Sequence, residues 1–168
     1  MMQTFRTEGS YRSADHLSPA ELRAAMASRE ILQSTALAFD TRRQLRFELG
    51  GTKAVMPFAL CAEGAETGSV RDIAVLTRVG RPTCFVIEGL DTDETGQPVY
   101  RLSRAEAQRM CHTEYLDTLR PGDILPCAVT HIEPFGAFCD VGCGISALLP
   151  IDCMSVSRIS SPADRVHV

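Results

Sequence analysis

The sequence predicts a mainly β protein with helical linkers, built as two successive small β units. Three observations carry this. Two Ser-x-x-Glu signals, at Ser18/Glu21 and Ser103/Glu106, announce helices. Each helix is followed by short β-rich runs broken by Gly, Pro and Asp. The two blocks also match in register: Phe47 falls over Cys139 and Ala54 over Ala147, offsets of 92 and 93.

Composition sets the outer bounds. A chain of 168 residues makes one ordinary domain or two small ones. Hydrophobic residues make up 45% and charged residues 23%, both ordinary for a folded protein. No apolar run reaches the length of a membrane span, so no membrane partner is expected. The N-terminus, MMQTFRTEGSYRSADHL, lacks the apolar core of a secretion signal, and a cytoplasmic location is expected. A net charge of -4 and a pI near 5.6 argue against gripping duplex DNA by bulk positive charge. They leave room for single strands, where stacking supplies much of the affinity.

The elements follow in order. SPAELRAAM has Ser18 as N-cap, Pro19 in the first turn and Glu21 three residues after the cap, so a capped helix runs to about Ser28. The first β block reads ILQSTALAF, QLRFEL, AVMPFAL, DIAVLTRV, TCFVIEGL and PVYRLS. The acidic stretch Asp91–Pro98, DTDETGQP, is a surface hairpin connection. SRAEAQRMCHTEYLDTL repeats the capping box and predicts a helix to about Leu119. The second block reads DILPCAVTHI, GAFCDVG and ISALLP.

Seven cysteines are many for this length. None is spaced C-x-x-C. Cys139 and Cys143 come nearest to a ligand pair, with Cys127, Cys153 and His131 nearby as conceivable zinc ligands. Without the usual spacing, the expectation is reduced thiols packed as small apolar residues, with no metal and no cofactor.

The most informative stretch is HIEPFGAFCDVGCGISALLP, His131 to Pro150. Aromatics are only 6% of the chain, yet Phe135 and Phe138 lie three residues apart. Side chains alternate across a strand. If Ala137, Cys139 and Val141 face the core, Phe138 and Asp140 face outward. Phe135 precedes a glycine, where a bend lets it join Phe138. An exposed pair of Phe marks a binding surface.

PGDILPCAVTHIEPFGAFCDVGCGISALLPIDCMSVSRIS resembles the RNA-binding motif named after the largest protein of the bacterial small ribosomal subunit, the S-one motif. The matching features are Gly-Asp, an alternating strand ending at Ile132, Phe-Gly-Ala-Phe, an acidic-apolar-Gly step, and apolar-apolar-Pro before a Ser-rich turn. The resemblance implies a five-stranded OB fold whose second and third strands form a nucleic-acid face. It implies bases stacked on Phe135 and Phe138, with His131 on the same face. Pro150 stands where the family often has His.

The implied organisation is an N-terminal segment with a capped helix (1–28), a degenerate S-one-like OB unit (29–103), a linker helix (104–120) and an S-one motif (121–168). The resemblance implies two further strands after the last of these, so the second barrel reads as truncated. In the first unit Arg43 takes the place of Phe135 and Arg46 that of Phe138, where each could contact phosphate or stack on a base. The expected function is that of a single-stranded RNA-binding module acting in translation, with messenger RNA and the small ribosomal subunit as partners. The alternatives are an accessory RNA-binding domain of a processing enzyme, and a protein-interaction adaptor that has lost RNA. No carboxylate cluster, Ser-His-Asp set or phosphate-cradling loop is present, so no catalytic residue is assigned and the chain is not expected to be an enzyme.

Overall fold

The computed structural model describes residues 4–168, so the first three residues of the expected N-terminal segment lie outside the described residues. The chain is mainly β. Among the described residues, ten strands form a seven-stranded and a three-stranded sheet, joined by three α-helices and short 3-10 turns. No helix among the described residues is long and apolar enough to cross a membrane.

A short strand β1 (Arg12–Ser13) precedes helix α1 (Pro19–Ser28). The capping box of α1 is complete. Glu21 N donates to Ser18 Oγ at 3.3 Å, and Ser18 N donates to the Glu21 carboxylate at 2.9 Å. The helix buries Leu22 and Ala25 and ends at Arg29 in the left-handed region.

Strands β2 (Leu32–Thr35), β3 (Ala38–Phe39), β4 (Gln44–Leu49), β5 (Thr52–Pro57), β6 (Pro82–Thr92) and β7 (Pro98–Ser103) complete the larger sheet, in the order β1-β2-β6-β7-β5-β4-β3. The sheet is curled. Past β1, its two ends, β2 and β3, are successive pieces of one segment, Leu32–Phe39. Strand β4 alternates as a half-buried strand should, with Leu45, Phe47 and Leu49 in and Arg46 and Glu48 out. Gly50 and Gly51 both take positive φ in the two-residue turn to β5, which suits the twist of a tight hairpin. Strand β5 pairs parallel with β7, while β6 and β7 form the hairpin expected around Asp91–Pro98.

Strand β6 is buried on both faces from Thr83 to Ile87. Phe85 and Ile87 enter the main core with Leu22, Leu32, Leu45, Phe47 and Leu102. Cys84 and Val86 face a second core with Tyr11, Ile31, Ala107 and Cys111. This explains its unbroken apolar run, because neither face meets water.

The second core lies under α3 (Arg104–Glu114). Ser103 Oγ accepts from Glu106 N at 3.0 Å, but the Glu106 carboxylate turns to Arg29 and Arg109, so the expected capping box is only half made. The helix stops at Glu114 rather than near Leu119, and Leu116–Thr118 tightens into a 3-10 turn. A second correction concerns DIAVLTRV, expected as a strand. Asp72–Leu76 is a short helix, α2, which buries Val75 and leaves Ile73 and Leu76 exposed.

The smaller sheet is an antiparallel meander of β8 (Ala128–Glu133), β9 (Gly136–Asp140) and β10 (Ser146–Pro150). All seven cysteines are unbridged. Five are buried, and Cys127 and Cys153 are exposed. Burial pushes the Cys61 thiol up to about 12.

Candidate nucleic-acid interface

The smaller sheet brings together the three aromatic residues singled out in the sequence. On β9, Ala137 and Cys139 are buried while Phe138 is half-exposed on the other face. Strand β8 would place Thr130 opposite Phe138 if its pairing were regular. A bulge between Val129 and His131 skips Thr130 and sets His131 opposite Phe138. Thr130 Oγ1 donates to the Phe138 carbonyl at 3.2 Å and holds this irregularity. The His131 and Phe138 rings are stacked, with centroids 6.3 Å apart and 25° between planes.

Phe135 occupies the tight turn between β8 and β9. Its carbonyl accepts from Ile151 N at 2.9 Å, which fixes the turn against the end of β10. Its ring meets Phe138 edge-on, 6.2 Å between centroids and 88° between planes. Phe135 remains 55% exposed. On the other side of Phe138, Leu148 of β10 lies directly opposite and is 46% exposed. His131, Phe138 and Leu148 thus form one row across three strands, with Phe135 standing perpendicular at its rim.

Leu148 was not singled out in the sequence, where ISALLP reads only as a short β-rich run. Strand parity would have found it: Ala147 and Leu149 are half-buried, while Ser146, Leu148 and Pro150 are exposed. Glu133 was missed as well. Its carboxylate lies 2.6 Å from His131 Nε2, at the end of the aromatic row.

Asp140 was expected to face outward, and the structure corrects this. It is buried, and its carboxylate accepts from the backbone N–H groups of Glu8 at 2.7 Å, Gly142 at 2.8 Å and Gly144 at 3.0 Å. Burial raises its pKa against the pull of those donors. The segment that covers it runs from Phe5 to Tyr11. Cys143 N donates to the Arg6 carbonyl at 2.9 Å, and Tyr11 Oη lies 3.0 Å from Cys143 Sγ. This strap seats the smaller sheet against α3 and β6.

Arg43 and Arg46 lie apart from the aromatic row, on the larger sheet. Arg43 is held within the chain: its guanidinium lies 4.0 Å from the centre of the Phe58 ring and 2.6 Å from Asp72. Arg46 is exposed on β4 and lines a groove of about 500 Å3 with Lys53, Val55, Asp91, Asp93 and Val99. Acidic side chains share that groove, so its field is mixed. No group of three or more His, Cys, Asp or Glu side chains among the described residues is placed to hold a metal ion.

The arrangement offers two faces of aromatic character and one carboxylate, which suits noncovalent stacking of flat groups. No protein-family model matches the chain, and no curated protein matches it.

Proposed function

We propose that the chain is a single-stranded RNA-binding module of the S-one type, with the outer face of β8–β10 as its binding surface. The observation that carries this is the row His131–Phe138–Leu148 with Phe135 perpendicular to it. Exposed rings held at fixed angles stack on bases with little sequence preference, each contributing about 1–3 kcal/mol. With a net charge of -4, the protein relies on stacking more than on bulk attraction for phosphate.

The curled larger sheet supports an OB-type first unit, since its strand order returns to the segment it started from and includes the parallel β5–β7 pair. Hairpin register supports a tandem origin. Gln44 faces Pro57 and Phe47 faces Ala54 in the first unit; Gly136 faces Pro150 and Cys139 faces Ala147 in the second. A 3-10 turn follows each of these prolines. The resemblance of the second unit extends the reading to a messenger strand during translation, in the cytoplasm.

The test is a Phe135→Ala/Phe138→Ala variant, titrated with a labelled single-stranded RNA of mixed sequence. Affinity should fall at least tenfold while the circular dichroism spectrum is kept. Phe135→Ala alone, at an exposed position, guards against misfolding. Unchanged affinity in both variants would remove this face as the RNA site.

A further inference from the structure

The outer face of the smaller sheet carries a second row beside the aromatic one. Strand register places Glu133, Gly136 and Pro150 side by side, one step along from His131, Phe138 and Leu148. Gly136 has no side chain, and Leu148 and the β10 backbone pack closely against it, so this second row is a filled, shallow shelf beside the Phe138 ring, bounded by Leu148. At its β8 end stands the Glu133 carboxylate. Oε1 contacts His131 Nε2 at 2.6 Å, and both side chains are well exposed, His131 by 62% and Glu133 by 40%.

A carboxylate offers acceptors only. An acidic group on a surface meant for a polyanion lowers general affinity, unless it reads something in return. A base stacked over Phe138 turns one edge toward the shelf. Cytosine presents an exocyclic amine there, and carboxylates accept from that group. Uracil presents a single ring N–H flanked by two carbonyl oxygens, which a carboxylate repels.

We propose that Glu133 makes this face selective for bases bearing an exocyclic amine over uracil. The inference rests on the RNA-binding reading of the same face. His131 serves as the positioning residue, since its ring is braced on Phe138 and its nitrogen holds Glu133 at the end of the row.

The experiment compares oligo-C and oligo-U of equal length, two pyrimidines of similar stacking area, by fluorescence anisotropy. The proteins are the parent chain, Glu133→Gln and Phe135→Ala/Phe138→Ala. The parent should prefer oligo-C by about fivefold or more, as one charge-assisted hydrogen bond predicts. Glu133→Gln, whose amide both donates and accepts, should weaken oligo-C, strengthen oligo-U and bring the ratio near one. Equal affinities in the parent, with binding that still depends on the two Phe, overturn the selectivity and leave the RNA-binding reading standing. A uniform gain for both oligomers in Glu133→Gln also overturns it, because the carboxylate would then act only by repelling phosphate. Failure of the folded parent to bind either oligomer defeats both readings.

Discussion

Glu8 and Arg104, 96 residues apart in the chain, form a buried two-pronged ion pair. Arg104 Nε donates to one carboxylate oxygen at 2.7 Å and its terminal nitrogen to the other at 3.0 Å. Arg78 approaches the same carboxylate at 2.8 Å, and Cys84 N donates to it at 3.1 Å. Glu8 also donates its own N–H to Asp140. One strap residue therefore holds β6, α3 and the turn after β9 together.

Removing one partner of such a pair strands a buried charge. Glu8→Ala should cost about 3–5 kcal/mol, read from the denaturation midpoint. Glu8→Leu combined with Arg104→Met should cost less than Glu8→Leu alone, because the second change removes the more buried of the two guanidinium groups that the first leaves stranded. A loss under about 1 kcal/mol for Glu8→Ala would mean that the pair is idle.

Acid should loosen the strap. Burial alone would raise the Glu8 pKa, but Arg104 and Arg78 outweigh it and hold the carboxyl below its usual 4.5. A carboxyl depressed by folding contributes stability above its unfolded pKa and loses it as pH falls through the folded value. Asp140 acts in the opposite sense. Its pKa is raised by burial, so its contribution is present at low pH and lost as pH rises through the folded value. Melting temperature followed from about pH 7 to pH 3 should fall on the acid side. In Glu8→Gln the curve should start lower and run flatter there. Parallel curves would assign the acid limb to other groups.

The two helix caps differ in surroundings. Ser18→Ala should cost about 1 kcal/mol. Ser103→Ala should cost at least as much, since Ser103 is 1% exposed and water cannot replace its bond to Glu106 N. Equal midpoints for both variants and the parent would show that neither cap holds its helix.

Gly136 lies where β9 crosses close to β10. A methyl group there would meet the Leu149 carbonyl oxygen at 2.5 Å and Pro150 Cα at 3.1 Å. Gly136→Ala should destabilise by about 1–3 kcal/mol, as overpacking does, with the smaller sheet losing hydrogen-exchange protection first. Full retention of protection in β9 and β10 would show that the strands part easily.

Much of this was legible in the sequence because it is local. The Ser-x-x-Glu signals placed α1 and α3, short β-rich runs between turn residues placed β4 and most of β5, and period-two alternation placed β9. Other features depended on distant partners. DIAVLTRV looked like a strand because Ile73, Val75 and Leu76 are apolar, but only Val75 is buried, and apolar content without burial does not choose between helix and strand. The inward turn of Asp140 needs the Glu8 N–H, 132 residues away, and no alternation pattern encodes that. The bulge that brings His131 to Phe138 shifts register by one residue, and periodicity cannot show such a shift in advance. The capping box at Ser103 was only half right because Arg29 and Arg109 compete for Glu106.

The distribution of sulfur gives the protein a built-in gauge of its own folding. Two sulfhydryls, Cys127 and Cys153, face solvent, and five are sealed inside. A thiol-reactive dye counts two on the native chain and seven once it opens, so the rate at which the remaining five appear times the opening of the molecule. The Cys84, Cys111 and Cys143 thiols lie in the same cluster as Tyr11, beneath the strap. Their order of appearance would separate release of the strap from collapse of the main core, where Cys61 resides.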